Sequence, residues 1–233
     1  MSEKKSPPFP DAAPNHGEVK RNAVNYDALM SDLLAACSAQ EERKKLLLHS
    51  CCAPCSSACL ERVKDVLSVT VLYYNPNIDD VAEYEKRKAE QIRFLRETGW
   101  ADFLDCDHDA AAFAAVARGK ENCKEGGARC YECYKLRLFK TAETAKKEGY
   151  DYFSTTLSVS PYKRAEWLNT LGYAAQNEYG VSYLPADFKK RGGYLRSIRL
   201  SKEHDLYRQD YCGCIYSKRE RELQAALKSE AKR

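Results

Sequence analysis

Leu46-Leu47-Leu48-His49-Ser50-Cys51-Cys52-Ala53-Pro54-Cys55 is the stretch on which the fold turns. A short apolar run bounded by charge reads as a strand buried on both faces, the kind found inside parallel sheets. The charged turn from Glu41 to Lys45 leads into it. Before that turn, Tyr26, Leu29, Met30, Leu33, Leu34 and Cys37 fall at the spacing of one amphipathic helix. After the strand the chain carries three cysteines in five residues. Pro54 predicts a non-helical Ala53, because the proline ring crowds the preceding backbone out of the α region.

Outward from this segment, strand and helix patterns alternate. Val69 to Tyr74 is β-branched and aromatic and stops at Asn75-Pro76-Asn77. Residues 80–98 read as a helix ending at Gly99, and Asp102 to Cys106 as a strand. The Ala-rich stretch 109–117 reads as a short helix capped by Asp109, and 131–148 as a Lys-rich helix ending at Gly149. Tyr152 to Leu157 is the next strand, Pro161 opens a helix to about Asn177, and Val181 to Leu184 is a last strand. The alternation predicts parallel βαβ units and an α/β, doubly wound sheet with helices on both faces. Ligands of such sheets lie beyond the carboxyl ends of the strands. The cysteine-rich turn falls in that place.

Composition narrows the class. Four of the eight prolines fall within the first 14 residues, so residues 1–24 are expected as a disordered tail and 25–233 as a single α/β domain. No apolar run reaches the roughly 18 residues of a membrane span, and no secretory signal is visible. A cytoplasmic chain without a membrane partner is therefore expected. The net charge of +4 confines any nucleic-acid surface to a local patch. Such a patch is offered by residues 187–210, with Lys189, Lys190, Arg191, Arg196 and Arg199 interleaved with Phe188, Tyr194 and Tyr207; a solvated surface loop is the plainer reading. A polar helix over about 216–231 ends the chain.

The count of 11 cysteines is unusual, and without a signal it points to metal or redox chemistry rather than a disulfide scaffold. Cys51, Cys52 and Cys55 follow the first strand, Cys130 and Cys133 open a helix, and Cys212-Gly213-Cys214 precedes the last one. A C-x-x-C at a helix start places two sulfurs about one turn apart, where the helix dipole favours thiolate. Two such thiolates plus two from Cys51-Cys52 complete a four-sulfur set. That set suits an iron–sulfur cluster, a structural zinc, or a metal-free thiol site. Cys212 and Cys214 would close a small strained ring on oxidation, the labile kind of disulfide; a further ligand pair or two buried thiols are the alternatives. Cys37, Cys59 and Cys106 read as core packing, Cys123 has no assigned role, and His49, His108 and His204 read as structural or surface residues.

Taken in order, several motifs resemble the cobalamin-independent epoxyqueuosine reductases, the QueH family. They are His49-Ser50-Cys51-Cys52-Ala53-Pro54-Cys55, Tyr73-Tyr74-Asn75-Pro76-Asn77-Ile78, Gly126 to Tyr134, Ser154 to Pro161, Gly193-Tyr194 and Tyr211-Cys212-Gly213-Cys214. They span about residues 45–217. The resemblance implies a Rossmann-like fold and an oxidoreductase. That enzyme would remove the epoxide oxygen of epoxyqueuosine at the wobble position of tRNA, the last step to queuosine. It implies a [4Fe–4S] cluster on Cys51, Cys52, Cys130 and Cys133, a redox-active disulfide between Cys212 and Cys214, an electron donor, and no cobalamin. Two departures stand out. Tyr162 replaces a histidine common in relatives, so no role passes to it. Cys55 replaces an aspartate found in some, which makes it a candidate ligand for an additional iron. With tRNA as substrate, Lys189, Lys190, Arg191, Tyr194, Arg196 and Arg199 become candidate RNA contacts.

Two rivals remain. An ATP-dependent tRNA-modifying enzyme on a similar fold needs a glycine-rich phosphate loop after the first strand, and Ser50 to Cys55 holds no glycine. A non-catalytic, metal-stabilised RNA-binding module would have no use for a labile Cys212/Cys214 pair.

Overall fold

The computed structural model describes residues 24–230; residues 1–23 of the expected tail lie outside the described residues. Five strands form one sheet: β1 (Lys45–His49), β2 (Ser68–Tyr73), β3 (Asp102–Asp105), β4 (Tyr152–Thr155) and β5 (Ser182–Tyr183). Every pairing is parallel, in the order β3-β2-β1-β4-β5. The chain winds outward from β1 in one direction and returns to start again at β4. That makes the β1/β4 boundary the topological switch point, where ligands of such sheets bind.

Alternation along β1 divides the core. Leu46 and Leu48 face a cluster with Met30 and Cys37 of α1 (Tyr26–Ser38), Cys59, Leu60 and Val63 of α2 (Ala53–Val63), and Phe94 of α3 (Val81–Thr98). Leu47 points the other way, into Leu138, Ala142 and Ala145 of α5 (Ala128–Lys147) and Leu168, Leu171 and Ala175 of α6 (Ala165–Tyr179). Helices thus cover both faces, as the near-continuous apolar strand requires. The remaining helices are α4 (Ala110–Ala117), α7 (Gly193–Glu203) and α8 (Ile215–Glu230).

Three expectations need correction. Ala53 is the first helical residue of α2, and the extended residue is Cys52 (φ −175°, ψ 159°). Pro54 sits in the first turn, where its missing N–H has no partner to lose. The strand expected through Leu157 ends at Thr155 and tightens into a 3₁₀ turn over Thr156–Val159, so α6 starts at Ala165 rather than Pro161. The basic segment, read as a break in the alternation, contains α7. Its buried face is Gly193, Ser197, Leu200 and Ser201. Those serine hydroxyls donate to backbone carbonyls one turn back, so small residues pack α7 closely against α2.

Candidate metal centre and thiol site

The turn after β1 is held from behind. Gln91 of α3 is fully buried, and its carbonyl accepts hydrogen bonds from Ser50 (2.8 Å) and Ser56 (3.0 Å), bracketing the cysteines. Within that bracket the Sγ atoms of Cys51, Cys52 and Cys55 lie within 4.8 Å of one another, and Cys51 and Cys52 are 3.8 Å apart. Hydrogen bonds from Cys52 and Cys55 hold Cys51 well below the ordinary thiol range, against its burial and with help from Arg137 and Lys163. Burial, and then the Cys51 thiolate, push Cys52 up to about 12. Three soft sulfurs in this proximity, with the buried Arg137 and the partly buried Lys163 acting on Cys51, fit a thiolate-bound metal.

Arg137 of α5 is one of those cations and is 1% exposed. It donates to Asn75 Oδ1 (2.6 Å) and to His49 Nε2 (3.1 Å). Arginine can only donate, so in this contact His49 Nε2 accepts, although the Tyr74 carbonyl lies at the same 3.1 Å from that nitrogen. The ring proton is then on Nδ1 and is donated to Thr155 Oγ1 at 2.9 Å, tying β1 to β4 across the switch point. Burial, then Arg137, lower the His49 pKa to about 3, so the ring is neutral. Burial opposes the charge on Arg137, but Cys133, Cys51 and Cys212 outweigh it and raise its pKa. The same holds for Lys163, just after the β4 turn: burial opposes, while Cys212, Tyr134, Cys51 and Cys55 raise it.

A second sulfur group adjoins the first. Cys130, Cys133, Cys212 and Cys214 line one small cavity with Glu125 and Ser217. Burial raises Cys130, raises Cys133 to about 11, and with Cys212 raises Cys214 to about 12. The thiolate-favouring pull expected of the α5 start is therefore outweighed by desolvation. Cys212 and Cys214 are free thiols here. Their loop is fastened: Arg87, 1% exposed, donates to the Cys212 carbonyl (3.2 Å), and Ser217 Oγ accepts from the Cys212 N–H (3.1 Å). A wider depression at Lys64, Trp100 and Asp102 lies at the amino ends of β2 and β3, away from every cysteine of the site.

Comparison with known proteins bears on this arrangement. The family model for "Epoxyqueuosine reductase QueH" matches residues 46–220. A protein of that name from Staphylococcus epidermidis is 37% identical over 207 residues, covering 86% of this chain and 87% of its own length. One from Streptococcus pyogenes is 39% identical, covering 83% and 78%, and one from Haemophilus influenzae 41%, covering 76% and 72%. This chain belongs to the QueH family. The matched region runs from β1 into α8 and takes in both sulfur groups.

Within this QueH-family chain, the structure brings Cys51 and Cys52 into contact with Cys55, and gathers Cys130 and Cys133 with Cys212 and Cys214. Cys37 and Cys59 are buried in the core as expected, and Cys106 follows β3, half-buried. The Cys123 carbonyl accepts from the buried Arg129, which also holds the carbonyls of Lys120 (3.2 Å) and Glu121 (2.9 Å). Gln91, Arg87, Ser217 and Lys163 were given no role from the sequence. Gln91 and Arg87 act across large sequence separations, and Ser217, five residues from Cys212, stands in no recognisable chemical motif.

The basic segment divides into two sets. Arg191 pairs with Asp27 at 2.7 Å, Lys189 with Asp187 at 2.7 Å, and Arg196 makes a two-pronged pair with Glu61 (2.7 and 2.9 Å). The Arg191 and Arg196 pairs fasten the segment to the body of the protein, whereas the Lys189 pair lies within the segment and Lys189 reaches the body through the Ser158 and Lys163 carbonyls (3.4 Å each). Lys190 and Arg199 are exposed, and among the described residues neither has a carboxylate partner. Tyr194 is half-buried, with Arg208 over its ring at 5.7 Å. No helix among the described residues is long and apolar enough to cross a membrane.

Proposed function

We propose that this chain reduces epoxyqueuosine to queuosine at the wobble position of tRNA, with residues 25–233 acting as one catalytic domain in the cytoplasm. Family membership makes it an oxidoreductase. The observation that carries the reading is the close three-sulfur group at the carboxyl end of β1, at the switch point of the sheet.

In this reading Cys51, Cys52, Cys130 and Cys133 hold a [4Fe–4S] cluster, and Cys55 is a ligand of an additional iron. When bound, such a group supplies electrons and a Lewis acid for the departing epoxide oxygen. The protein's own residues do the rest. Arg137 and Lys163 offset the negative charge of the thiolates, and the Asn75–Arg137–His49–Thr155 chain fixes the ends of β1 and β4. Converting an epoxide to an alkene consumes two electrons and two protons and releases the oxygen as water. Oxidation of the Cys212/Cys214 dithiol to a disulfide releases two electrons and two protons, so one closure balances one turnover. An external electron donor then restores the dithiol. Lys190, Arg199 and Tyr194 offer contacts to the RNA backbone and to a base already unstacked in the anticodon loop. Lys189, Arg191 and Arg196 are secondary contacts, since each is already paired within the chain.

The test is to incubate anaerobically prepared protein with epoxyqueuosine-bearing tRNA and a strong reductant, digest the RNA and weigh the nucleoside. The expected product is lighter by one oxygen, and Cys51→Ala abolishes both the iron and the mass change. An unchanged mass with iron-replete protein overturns the function.

A further inference from the structure

The three-sulfur group is not served by cysteines alone. Gln209, 157 residues downstream of Cys52, places its Nε2 at 2.8 Å from Cys52 Sγ. Cys52 is 1% exposed, and among the described residues Gln209 is the one side chain outside the trio that hydrogen-bonds to a trio sulfur. The fold imposes this contact. On one side of Gln209, the Tyr207 N–H donates to Glu90 (2.7 Å) and the Tyr207 hydroxyl to Glu83 (3.0 Å), both on α3. On the other, Arg87 of the same helix holds the Cys212 carbonyl. The segment is pinned at both ends, and Gln209 is carried over Cys52 between them.

The amide is turned for the sulfur at its own expense. Its Oε1 is buried and, among the described residues, has no hydrogen-bond partner. A neutral amide that leaves its acceptor unpaired while donating to sulfur suits an electron-rich sulfur, which is what a metal-bound thiolate is. Hydrogen bonds to ligating sulfurs, together with cluster charge and solvent exposure, set the reduction potential of such centres. An N–H donor stabilises the state with more negative charge on sulfur, which is the reduced one.

We propose that Gln209 is a positioning residue for the metal centre: it donates to the Cys52 sulfur and raises the reduction potential of the group held there. The inference rests on the metal reading above. Gln209→Leu removes the donor at similar volume, and Gln209→Glu puts a carboxylate in its place. Both variants and the parent are prepared anaerobically, assayed for iron and acid-labile sulfide, and titrated with dithionite while the visible absorbance is followed. The expected result is parental iron and sulfide in both variants. The midpoint potential should be more negative in Gln209→Leu, and more negative again in Gln209→Glu. Parental metal content with unchanged potentials overturns the role of Gln209 and leaves the metal reading standing. Loss of metal from the leucine variant makes Gln209 an assembly requirement and also overturns it. A parent protein without iron or sulfide overturns both readings together.

Discussion

Arg137→Met removes a guanidinium that two buried acceptors depend on. Asn75 Oδ1 (2.6 Å) and His49 Nε2 (3.1 Å) would both lose their donor in a region closed to water, since Asn75, His49 and Arg137 are each at most 1% exposed. Leaving one buried polar atom unsatisfied costs about 1–3 kcal/mol, so the pair loses roughly 2–6 kcal/mol. Against a total stability of about 5–15 kcal/mol this is large. For a chain of this size the midpoint of thermal unfolding should fall on the order of 10 °C. The measurement is urea and thermal unfolding of metal-free protein under reductant, so that lost iron binding does not enter. Asn75→Ala alone and the double variant complete a cycle, and the two losses should be less than additive because they share a partner. A loss below about 0.5 kcal/mol for Arg137→Met, or full additivity with Asn75→Ala, would refute the network. Metal content gives a second check. Arg137 also offsets the Cys51 and Cys133 thiolates, so iron retention should fall further than stability alone explains.

Other consequences are open to measurement. Gly213 has φ +117°, and a Cβ there would meet the Ile78 side chain at 2.9 Å. Gly213→Ala should cost about 1–3 kcal/mol and displace the Cys212/Cys214 loop, seen as unequal alkylation of those two thiols relative to the parent. Asp27, though burial works against it, is held below the ordinary carboxylate range by Arg62 and Arg191. Its folded pKa is depressed, so its contribution is present above the unfolded value and lost as pH falls through the folded one. Asp27→Asn should therefore lower stability at neutral pH and flatten the acid limb of an unfolding-against-pH curve; an unchanged limb excludes the pair. Lys190→Ala with Arg199→Ala should raise the KM for tRNA at constant iron content and reduce the salt slope of RNA binding by roughly 1.4, from two lost phosphate contacts. Unchanged binding would move the RNA surface elsewhere.

How much of this was legible in the chain depends on how locally each feature is encoded. The three leucines of β1, the β-branched run of β2 and the glycine closing α3 announce themselves within a few residues, because burial on both faces and a left-handed cap restrict which residue types can serve. The cysteine groups were legible for the same reason, since few residue types bind soft metals. The helix α2 was not. Ala53, Pro54, Ser56, Ser57, Ala58, Cys59, Leu60 and Val63 are all buried, so the helix lacks the polar stripe from which a periodic pattern is read. In α7 the small buried serines hid the apolar face in the same way.

The sequence by itself determined the parallel α/β architecture, the place of the cysteines at strand ends and the family. Only the tertiary structure decided which sulfurs touch and which cations stand behind them. It also showed that Arg191 and Arg196 are ion-paired fasteners, and that a glutamine 157 residues away donates to Cys52. The physical reason is separation along the chain. Periodicity and caps are set by neighbours one turn away, whereas a buried hydrogen bond or ion pair is set by which distant segments the packed sheet and helices bring within about 3 Å.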